Sequence, residues 1–287
     1  MKQHIKSIED NLFPGCHAAI SDWENFRWHE HACQPKSSQA LAIDVFGTIK
    51  MSPEKNHILS EIAACLNLPE QGDWEIELEW KDPQNLLKEM MPAQTQIDCI
   101  ATSAQAVIVF ECKLKEGGDS CGQPNSGQCN GNYETQINPK NHKKAKCALA
   151  GKGIRYWDYI DTIFREVSSK EDYQPCPFKG ENYQWMRNLA LCKALMKDGN
   201  KAGAVVAVYA DAPNLKMAEK INKKAWKLDL NNRKVEFTDS LESEVNFKTL
   251  SYQKLIEMIR QCSSSATWHD LKNWVDNKIE RVSRQQG

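Results

Sequence analysis

Two acidic residues and one lysine stand inside the most apolar part of the segment QTQIDCIATSAQAVIVFECKLKE, residues 94–116. Asp98 interrupts the first apolar run, Glu111 interrupts the second, and Lys113 follows two positions later. Alternating and continuous apolar runs of this length predict two core strands. Because burying a charge is costly, charged residues at such positions are candidates for chemistry.

The spacing of the three residues predicts that they share one face of a hairpin. With Ala104 and Gln105 taken as the hairpin tip, Asp98 and Glu111 each lie six residues from it and face each other. Directly opposed side chains of an antiparallel pair lie on the same face, and so does a residue two positions along the strand, here Lys113. The other face carries apolar residues typical of a core: Ile97, Cys99, Ile108, Phe110 and Cys112. The tip is an assumption, and a slip of one residue would break the pairing.

Two carboxylates placed this close repel each other unless a positive group lies between them. Mg²⁺ is such a group, since it takes oxygen ligands, keeps several waters and pairs with substrate phosphates. A neighbouring lysine can orient a water and stabilise charge that develops on phosphate oxygens. The three residues together therefore suggest hydrolysis of a phosphodiester. A plain salt bridge between Lys113 and one of the acids is the simpler alternative.

Asp98, followed by Glu111-Cys112-Lys113 at the end of an apolar strand, resembles the PD-(D/E)xK superfamily of nucleases. The segments SSQALAIDVFG and YQWMRN also look like a poorly characterised bacterial branch of restriction-endonuclease-like proteins. The resemblance implies an α/β, restriction-endonuclease-like core with a mixed β-sheet flanked by helices, and cleavage of DNA with Mg²⁺ or Mn²⁺. It implies that Asp98, Glu111 and the Cys112 carbonyl bind the metal and that Lys113 serves the attacking water. Ile97 stands where the superfamily's name has proline.

The same resemblance offers further catalytic candidates. Many members place a Gln or an acid from an early helix or strand near the metal, and Gln39, Glu61 and Glu79 are the candidates in this chain. Some members use a Gln in the helix after the third strand, which here would be Gln184. A solvated surface position remains open as the alternative for Gln39, Glu61 and Glu79.

The elements around these residues follow from periodicity. Helices are predicted over SSQALAIDVFG, from Pro53 to Leu66, over about 181–197, over YQKLIEMIRQC and near the C-terminus, and strands over EIELEW, AGAVVAVYA and VNFKTLSY. This order predicts a single nuclease-like domain over 1–287. Its parts are an N-terminal extension (1–36), a core (37–262) with an insertion at 116–180 between the third core strand and the following helix, and a C-terminal helix (263–287).

The insertion carries cysteines in polar surroundings. Four thiolates, from Cys121, Cys129, Cys147 and Cys176, could hold Zn²⁺ or an iron–sulfur cluster. The spacing contains no C-x-x-C pair, so free or buried thiols are the favoured alternative.

Two basic clusters could contact nucleic acid. PKNHKKAK contributes Lys143 and Lys144, and KINKKAWK contributes Lys223, Lys224 and Trp226. Lysines supply phosphate contacts and a tryptophan supplies stacking. A solvated charged surface is the common alternative.

The composition is that of an ordinary globular protein, with 41% hydrophobic residues and a formal net charge of −1. It predicts no broad basic field, no membrane span and, from the polar first residues, no secretion signal. We therefore expect a cytoplasmic, Mg²⁺-dependent deoxyribonuclease. The alternative is a non-catalytic DNA- or protein-binding module whose fold is stabilised by zinc or an iron–sulfur cluster. The choice of DNA over RNA and the presence of a homodimer stay open.

Overall fold

The two apolar runs that carry Asp98 and Glu111 form neighbouring strands of the central sheet. A computed structural model describes residues 7–70, 72–115, 120–129, 147–159, 183–212, 227–230, 233–236 and 246–284. Within those ranges the strands are β1 (Glu75–Lys81), β2 (Gln96–Thr102), β3 (Ala106–Lys113), β4 (Ala202–Tyr209), β5 (Lys227–Leu230), β6 (Arg233–Glu236) and β7 (Asn246–Ser251).

In the described part of the chain, five strands form one mixed sheet in the order β1-β2-β3-β4-β7. The strands β1, β2 and β3 pair in antiparallel fashion, whereas β3, β4 and β7 run parallel. Every residue of β3 is buried, as expected for the central strand of a sheet covered on both faces. Strands β5 and β6 form a separate hairpin.

The hairpin of β2 and β3 has the register predicted from the sequence. Cys99 pairs with Phe110 and Thr102 pairs with Val107. The N–H of Ser103 donates to the carbonyl of Ala106 over 2.9 Å, so that Ala104 and Gln105 form the tip.

Helices cover both faces of the sheet. They are α1 (Ser38–Ala42), a π-helical turn (Ile43–Gly47), α2 (Thr48–Met51), α3 (Lys55–Cys65), α4 (Ala148–Gly151), α5 (Tyr183–Gly199), α6 (Tyr252–Cys262) and α7 (Thr267–Arg284). Ser37 caps α1 by accepting a hydrogen bond from the Ala40 N–H.

One face packs through aromatic residues and the other through a close backbone approach. The rings of Phe46 and Phe110 lie 4.6 Å apart between the π-helical turn and β3. On the other face, a Cβ at Gly203 would lie 2.6 Å from Met196 of α5. Glycine at this position leaves room for the Met196 side chain of α5 directly against the start of β4.

The N-terminal extension and α7 are joined to the core by a buried ion pair. Lys278 of α7 donates to Asp44 over 2.5 Å and to the carbonyl of Asn11 over 2.6 Å. Asp44 belongs to the π-helical turn and is fully buried. The Lys278 ammonium thus connects α7 to the π-helical turn and to the N-terminal extension, three parts of the chain that are distant in sequence.

The predicted fold class, α/β with a mixed sheet flanked by helices, is confirmed. Of the predicted insertion at 116–180, the structure describes residues 120–129 and 147–159. In the portion of the chain with described coordinates, no helix combines the length and apolarity that a membrane span requires.

Candidate active site

Three carboxylates occupy matching positions on three neighbouring strands. Leu78 pairs with Cys99 and Trp80 pairs with Ile97, so Glu79 stands opposite Asp98. The register of β2 and β3, continued by one residue, places Asp98 opposite Glu111. Residues directly opposed across strands lie within contact distance of each other. The row Glu79–Asp98–Glu111 crosses the sheet where β3 ends.

Asp98 is half-buried, and its carboxylate accepts a 2.6 Å hydrogen bond from the main-chain N–H of Cys112. Burial raises the pKa of Asp98 well above its ordinary value, and the negative charges of Glu111 and Glu79 raise it further. Lys113 and the Cys112 N–H act in the opposite direction. The positive groups around Asp98 are therefore too few to keep its pKa at the ordinary value.

Glu111 is buried and held from two elements. Its Oε1 accepts a hydrogen bond of 2.9 Å from Lys113 and another from Gln184, and its Oε2 accepts one of 2.7 Å from Asn188. Gln184 and Asn188 are one turn apart on α5, so both face β3. The orientation of this carboxylate is therefore set by the packing of α5 on the sheet.

Lys113 is buried beside Glu111. Its ammonium donates over 2.8 Å to the amide oxygen of Gln184 and lies 5.8 Å from the centre of the Trp185 ring. The salt bridge considered from the sequence is present, because Lys113 Nζ and Glu111 Oε1 lie 2.9 Å apart. The salt bridge does not separate Lys113 from Asp98, because Lys113 is close enough to lower the pKa of Asp98. The two acids and the amine therefore remain together.

The backbone of Glu79 is in the left-handed region, with φ of 53°. Such a conformation costs on the order of 1–3 kcal/mol for a residue other than glycine, and it is concentrated at functional sites. The Glu79 side chain is only 5% exposed. Burial raises its pKa to about 7, the neighbouring side-chain amides of Gln39 and Gln96 lower it, and the charge of Glu111 raises it.

One oxygen of Glu79 lacks a partner. Its Oε2 accepts a hydrogen bond from Gln96 and lies 3.9 Å from the His29 ring. Its Oε1 is buried and has no hydrogen-bond partner among the described residues. A buried carboxylate oxygen without a partner is costly, so this atom calls for an explanation.

Gln39 and Glu61 lie in different surroundings. Gln39 is buried, accepts from the His29 N–H over 2.8 Å and donates to the Arg27 carbonyl over 3.0 Å. It therefore fastens the N-terminal extension close to Glu79. Glu61 is exposed on α3.

The N-terminal half of α5 is fixed in place by a second polar network. Arg187 donates to the Thr95 hydroxyl over 3.0 Å and pairs with Glu89 at 3.5 Å. Glu89 is buried and also accepts a hydrogen bond from the Thr95 N–H over 2.7 Å. These contacts join the segment before β2 to the helix that holds Glu111.

Asn188 is a site residue that the sequence analysis missed. It is buried and contacts Glu111, and its own Oδ1 has no hydrogen-bond partner within the described ranges. The available signal was its position four residues after Gln184, which places both amides on one face of α5.

Asp98, Glu111 and the buried, unpartnered oxygen of Glu79 form a set of hard oxygen donors that suits Mg²⁺ or Mn²⁺. No group of three or more His, Cys, Asp or Glu side chains within the described ranges has the geometry of a metal site on its own. Two carboxylates completed by a carbonyl and waters match the way Mg²⁺ is usually held.

The insertion cysteines are described in part. Cys121 is buried, and Cys129 and Cys147 are half-buried. Burial raises the pKa of Cys121, a hydrogen bond to the Gln123 backbone lowers it, and Cys129 and Cys147 raise it, which indicates that the three thiols are neighbours. Cys176 lies outside the described residues, so zinc or an iron–sulfur cluster stays a prediction.

The five predicted nucleic-acid contacts also lie outside the described residues: Lys143, Lys144, Lys223, Lys224 and Trp226.

Comparison with known families places this geometry in context. The family model REase-ARP, described as restriction endonuclease associating with ARP, matches residues 13–275. The chain belongs to this restriction-endonuclease family. The match spans part of the extension, the whole sheet and the first half of α7, so the carboxylate row lies well inside it. No curated protein and no solved structure matches the chain.

The REase-ARP family accounts for the fold described above. The mixed five-stranded sheet of the described residues, flanked by helices, is a restriction-endonuclease-like fold. The resemblance inferred from Asp98, Glu111 and Lys113 is confirmed at the level of the family.

Proposed function

We propose that this chain is a metal-dependent nuclease that hydrolyses phosphodiester bonds of DNA. One observation supports the proposal above all: Asp98, Glu111 and Lys113 lie together where β2 begins and β3 ends. The register and the 2.9 Å contact between Lys113 and Glu111 support it, as does the family to which the chain belongs.

Mg²⁺ or Mn²⁺ would be held by the carboxylates of Asp98 and Glu111 and by the Cys112 carbonyl. The N–H and C=O of one residue in an extended strand point to the same side. Because the Cys112 N–H donates to Asp98, its carbonyl is also directed toward β2. Glu79, with an unpartnered oxygen, is the candidate for a further ligand. A bound divalent cation would lower the pKa of water and neutralise charge on the phosphate.

The residues of the chain supply position and charge. Asn188 and Gln184 hold Glu111 in one orientation, and Gln184 also holds Lys113. The Lys113 ammonium is a donor that can orient the attacking water and stabilise the extra negative charge on the phosphate oxygens in the transition state. Water then attacks phosphorus and the bond to the leaving oxygen breaks. The attacking water releases a proton to solvent, and the leaving oxygen takes one up from solvent.

A DNA-cleavage assay with Mg²⁺ tests the proposal. Asp98→Asn and Lys113→Ala are expected to lose cleavage by on the order of 100-fold or more, because each removes a group needed in the transition state. Asp98→Asn keeps an acceptor for the Cys112 N–H and so preserves local structure. EDTA is expected to abolish cleavage by the wild type.

Matched controls are Asp270→Asn and Lys254→Ala, which change exposed residues on α7 and α6. Their cleavage should equal that of the wild type. Equal cutting by the wild type, Asp98→Asn and Lys113→Ala would refute the assignment. Tight DNA binding without cleavage under any divalent metal would favour the non-catalytic binding module.

A further inference from the structure

A pocket of about 400 Å³ lies between the N-terminal extension and the edge strand β1. We call it the extension pocket. One wall is formed by residues 19–22 and 25–27 together with Lys50, and the other by four residues of β1 and Gln96 of β2. Its position at the edge of the sheet leaves it open to solvent.

Three cations line the extension pocket: Arg27, Lys50 and Lys81. Lys50 is engaged, since its ammonium donates to the Ala19 carbonyl over 2.8 Å. Arg27 has a long contact of 3.5 Å to Gln96. Lys81 has no hydrogen bond or ion pair with any residue in the described part of the chain. Two positive groups are thus available for an incoming anion.

Arg27 and Lys81 approach each other at Gln96. The Arg27 guanidinium lies 3.5 Å from the Gln96 amide oxygen, and Lys81 pairs with Gln96 across β1 and β2. The pocket also holds the acids Asp22, Glu77 and Glu79, and Asp22 is satisfied by hydrogen bonds from Asn25. An anion bound between the guanidinium and the ammonium would relieve their repulsion.

The extension pocket adjoins the candidate active site. Glu79 belongs to both, and Gln96 lines the pocket two residues before Asp98 on the same face of β2. Two residues of a strand span roughly 6.6 Å. This distance is comparable to one nucleotide along an extended strand. A phosphate in the pocket would therefore neighbour a phosphate beside Asp98.

We propose that Arg27 and Lys81 bind a backbone phosphate of the DNA strand one nucleotide from the bond that is cleaved. This inference rests on the proposed nuclease function, since the substrate is taken to be DNA. Phosphate contacts of this kind fix the register of the strand without reading its sequence. The extension, with Gln39 fastening it beside Glu79, is thereby part of the substrate-binding surface.

Binding of a labelled DNA duplex, followed by fluorescence anisotropy in EDTA, tests this subsite without cleavage. The measurement is repeated between about 50 and 200 mM salt, because each phosphate contact contributes about 0.9 to the slope of log Kd against log salt. The double variant Arg27→Ala/Lys81→Ala is expected to bind several-fold more weakly and to lose about one contact from the slope. The conservative variant Arg27→Lys/Lys81→Arg is expected to keep both.

The matched control is Lys254→Ala/Arg260→Ala, which removes one lysine and one arginine that are exposed on α6, next to β7 at the opposite edge of the sheet. It should leave affinity and slope unchanged. The subsite is overturned if the alanine double variant binds DNA with the same affinity and salt slope as the control variant. It is also overturned if the wild type does not bind DNA at low salt. A loss of cleavage without any change in affinity or slope would overturn it as well.

The two proposals fail in different ways. DNA that binds with the expected change in slope but is never cut with Mg²⁺ or Mn²⁺ would refute the nuclease and leave Arg27 and Lys81 only as a contact to a DNA phosphate. Cleavage that requires Asp98, combined with an unchanged slope in the alanine double variant, would do the reverse.

Discussion

Asn188 donates a hydrogen bond of 2.7 Å to Glu111 across the contact between α5 and β3. Both residues are buried. The amide nitrogen of Asn188 makes this bond, and its amide oxygen has no partner in the described portion of the structure. The strand alone fixes which face Glu111 lies on. The helix fixes where its carboxylate points.

Asn188→Ala is expected to leave one Glu111 oxygen buried without its partner, at a cost of about 1–3 kcal/mol in the free energy of unfolding. The freed carboxylate would sample other orientations. We expect kcat for DNA cleavage to fall by about tenfold and the Mg²⁺ concentration for half-maximal activity to rise. Steady-state kinetics over a Mg²⁺ titration measures both.

Lys197→Ala, an exposed position near the end of the same helix, is the control for that experiment. A variant of Asn188 that loses stability but keeps the wild-type Mg²⁺ dependence would show that Asn188 acts only in packing.

Glu79 gives the metal-free protein a pH dependence of defined sign. Its pKa is about 7 in the folded chain, above its ordinary value, so the folded state binds the proton more tightly than the unfolded state. Its contribution to stability is therefore full below the ordinary pKa and is lost as the pH rises toward 7. The loss is on the order of 3 kcal/mol.

Urea unfolding in EDTA between pH 4.5 and 8 checks this expectation. Glu79→Gln should flatten the decline in the free energy of unfolding, whereas the exposed control Glu70→Gln should leave it intact. The idea fails when Glu79→Gln shows the same pH slope as the wild type.

Lys278 and Asp44 form a buried pair that predicts a large difference between single and double variants. Lys278→Met leaves the Asp44 carboxylate buried without its cation and is expected to cost about 3–5 kcal/mol of stability. Asp44→Asn/Lys278→Met should recover part of that loss, because no charge remains buried alone. Chemical denaturation of the wild type, both single variants and the double variant gives the coupling.

The exposed pair of Arg284 and Glu280 on the same helix is the matched control. Arg284→Ala should change stability by less than about 1 kcal/mol. A loss of equal size for Lys278→Met and Arg284→Ala would contradict the role given to the buried pair.

The hairpin register could be predicted because it depends on local pattern. Placing the tip at Ala104 and Gln105 put Asp98, Glu111 and Lys113 together on one face and left an uncharged core face on the other. The observed pairing of Cys99 with Phe110 follows from the same alternation. The helix predicted over SSQALAIDVFG also depends on local pattern, and in the structure Ser37 caps its first turn.

Contacts between distant segments could not be predicted in the same way. Asn188 and Glu111 are 77 residues apart, and no periodicity links them. The π-helical turn at Ile43–Gly47 interrupts what the apolar spacing predicts as one regular helix, and it places Asp44 toward Lys278. Arg27 belongs to a segment without a clean period, so its position beside Gln96 follows only from tertiary packing.

As a nuclease of this kind, the chain would bind one divalent cation between Asp98 and Glu111, at the place where the phosphodiester is cut. Anomalous diffraction from crystals grown with Mn²⁺ and a DNA duplex locates that cation. We expect one strong manganese peak in contact with both carboxylates and with a phosphate oxygen. A duplex bound at this site with no manganese between Asp98 and Glu111, or manganese bound only elsewhere, would contradict it.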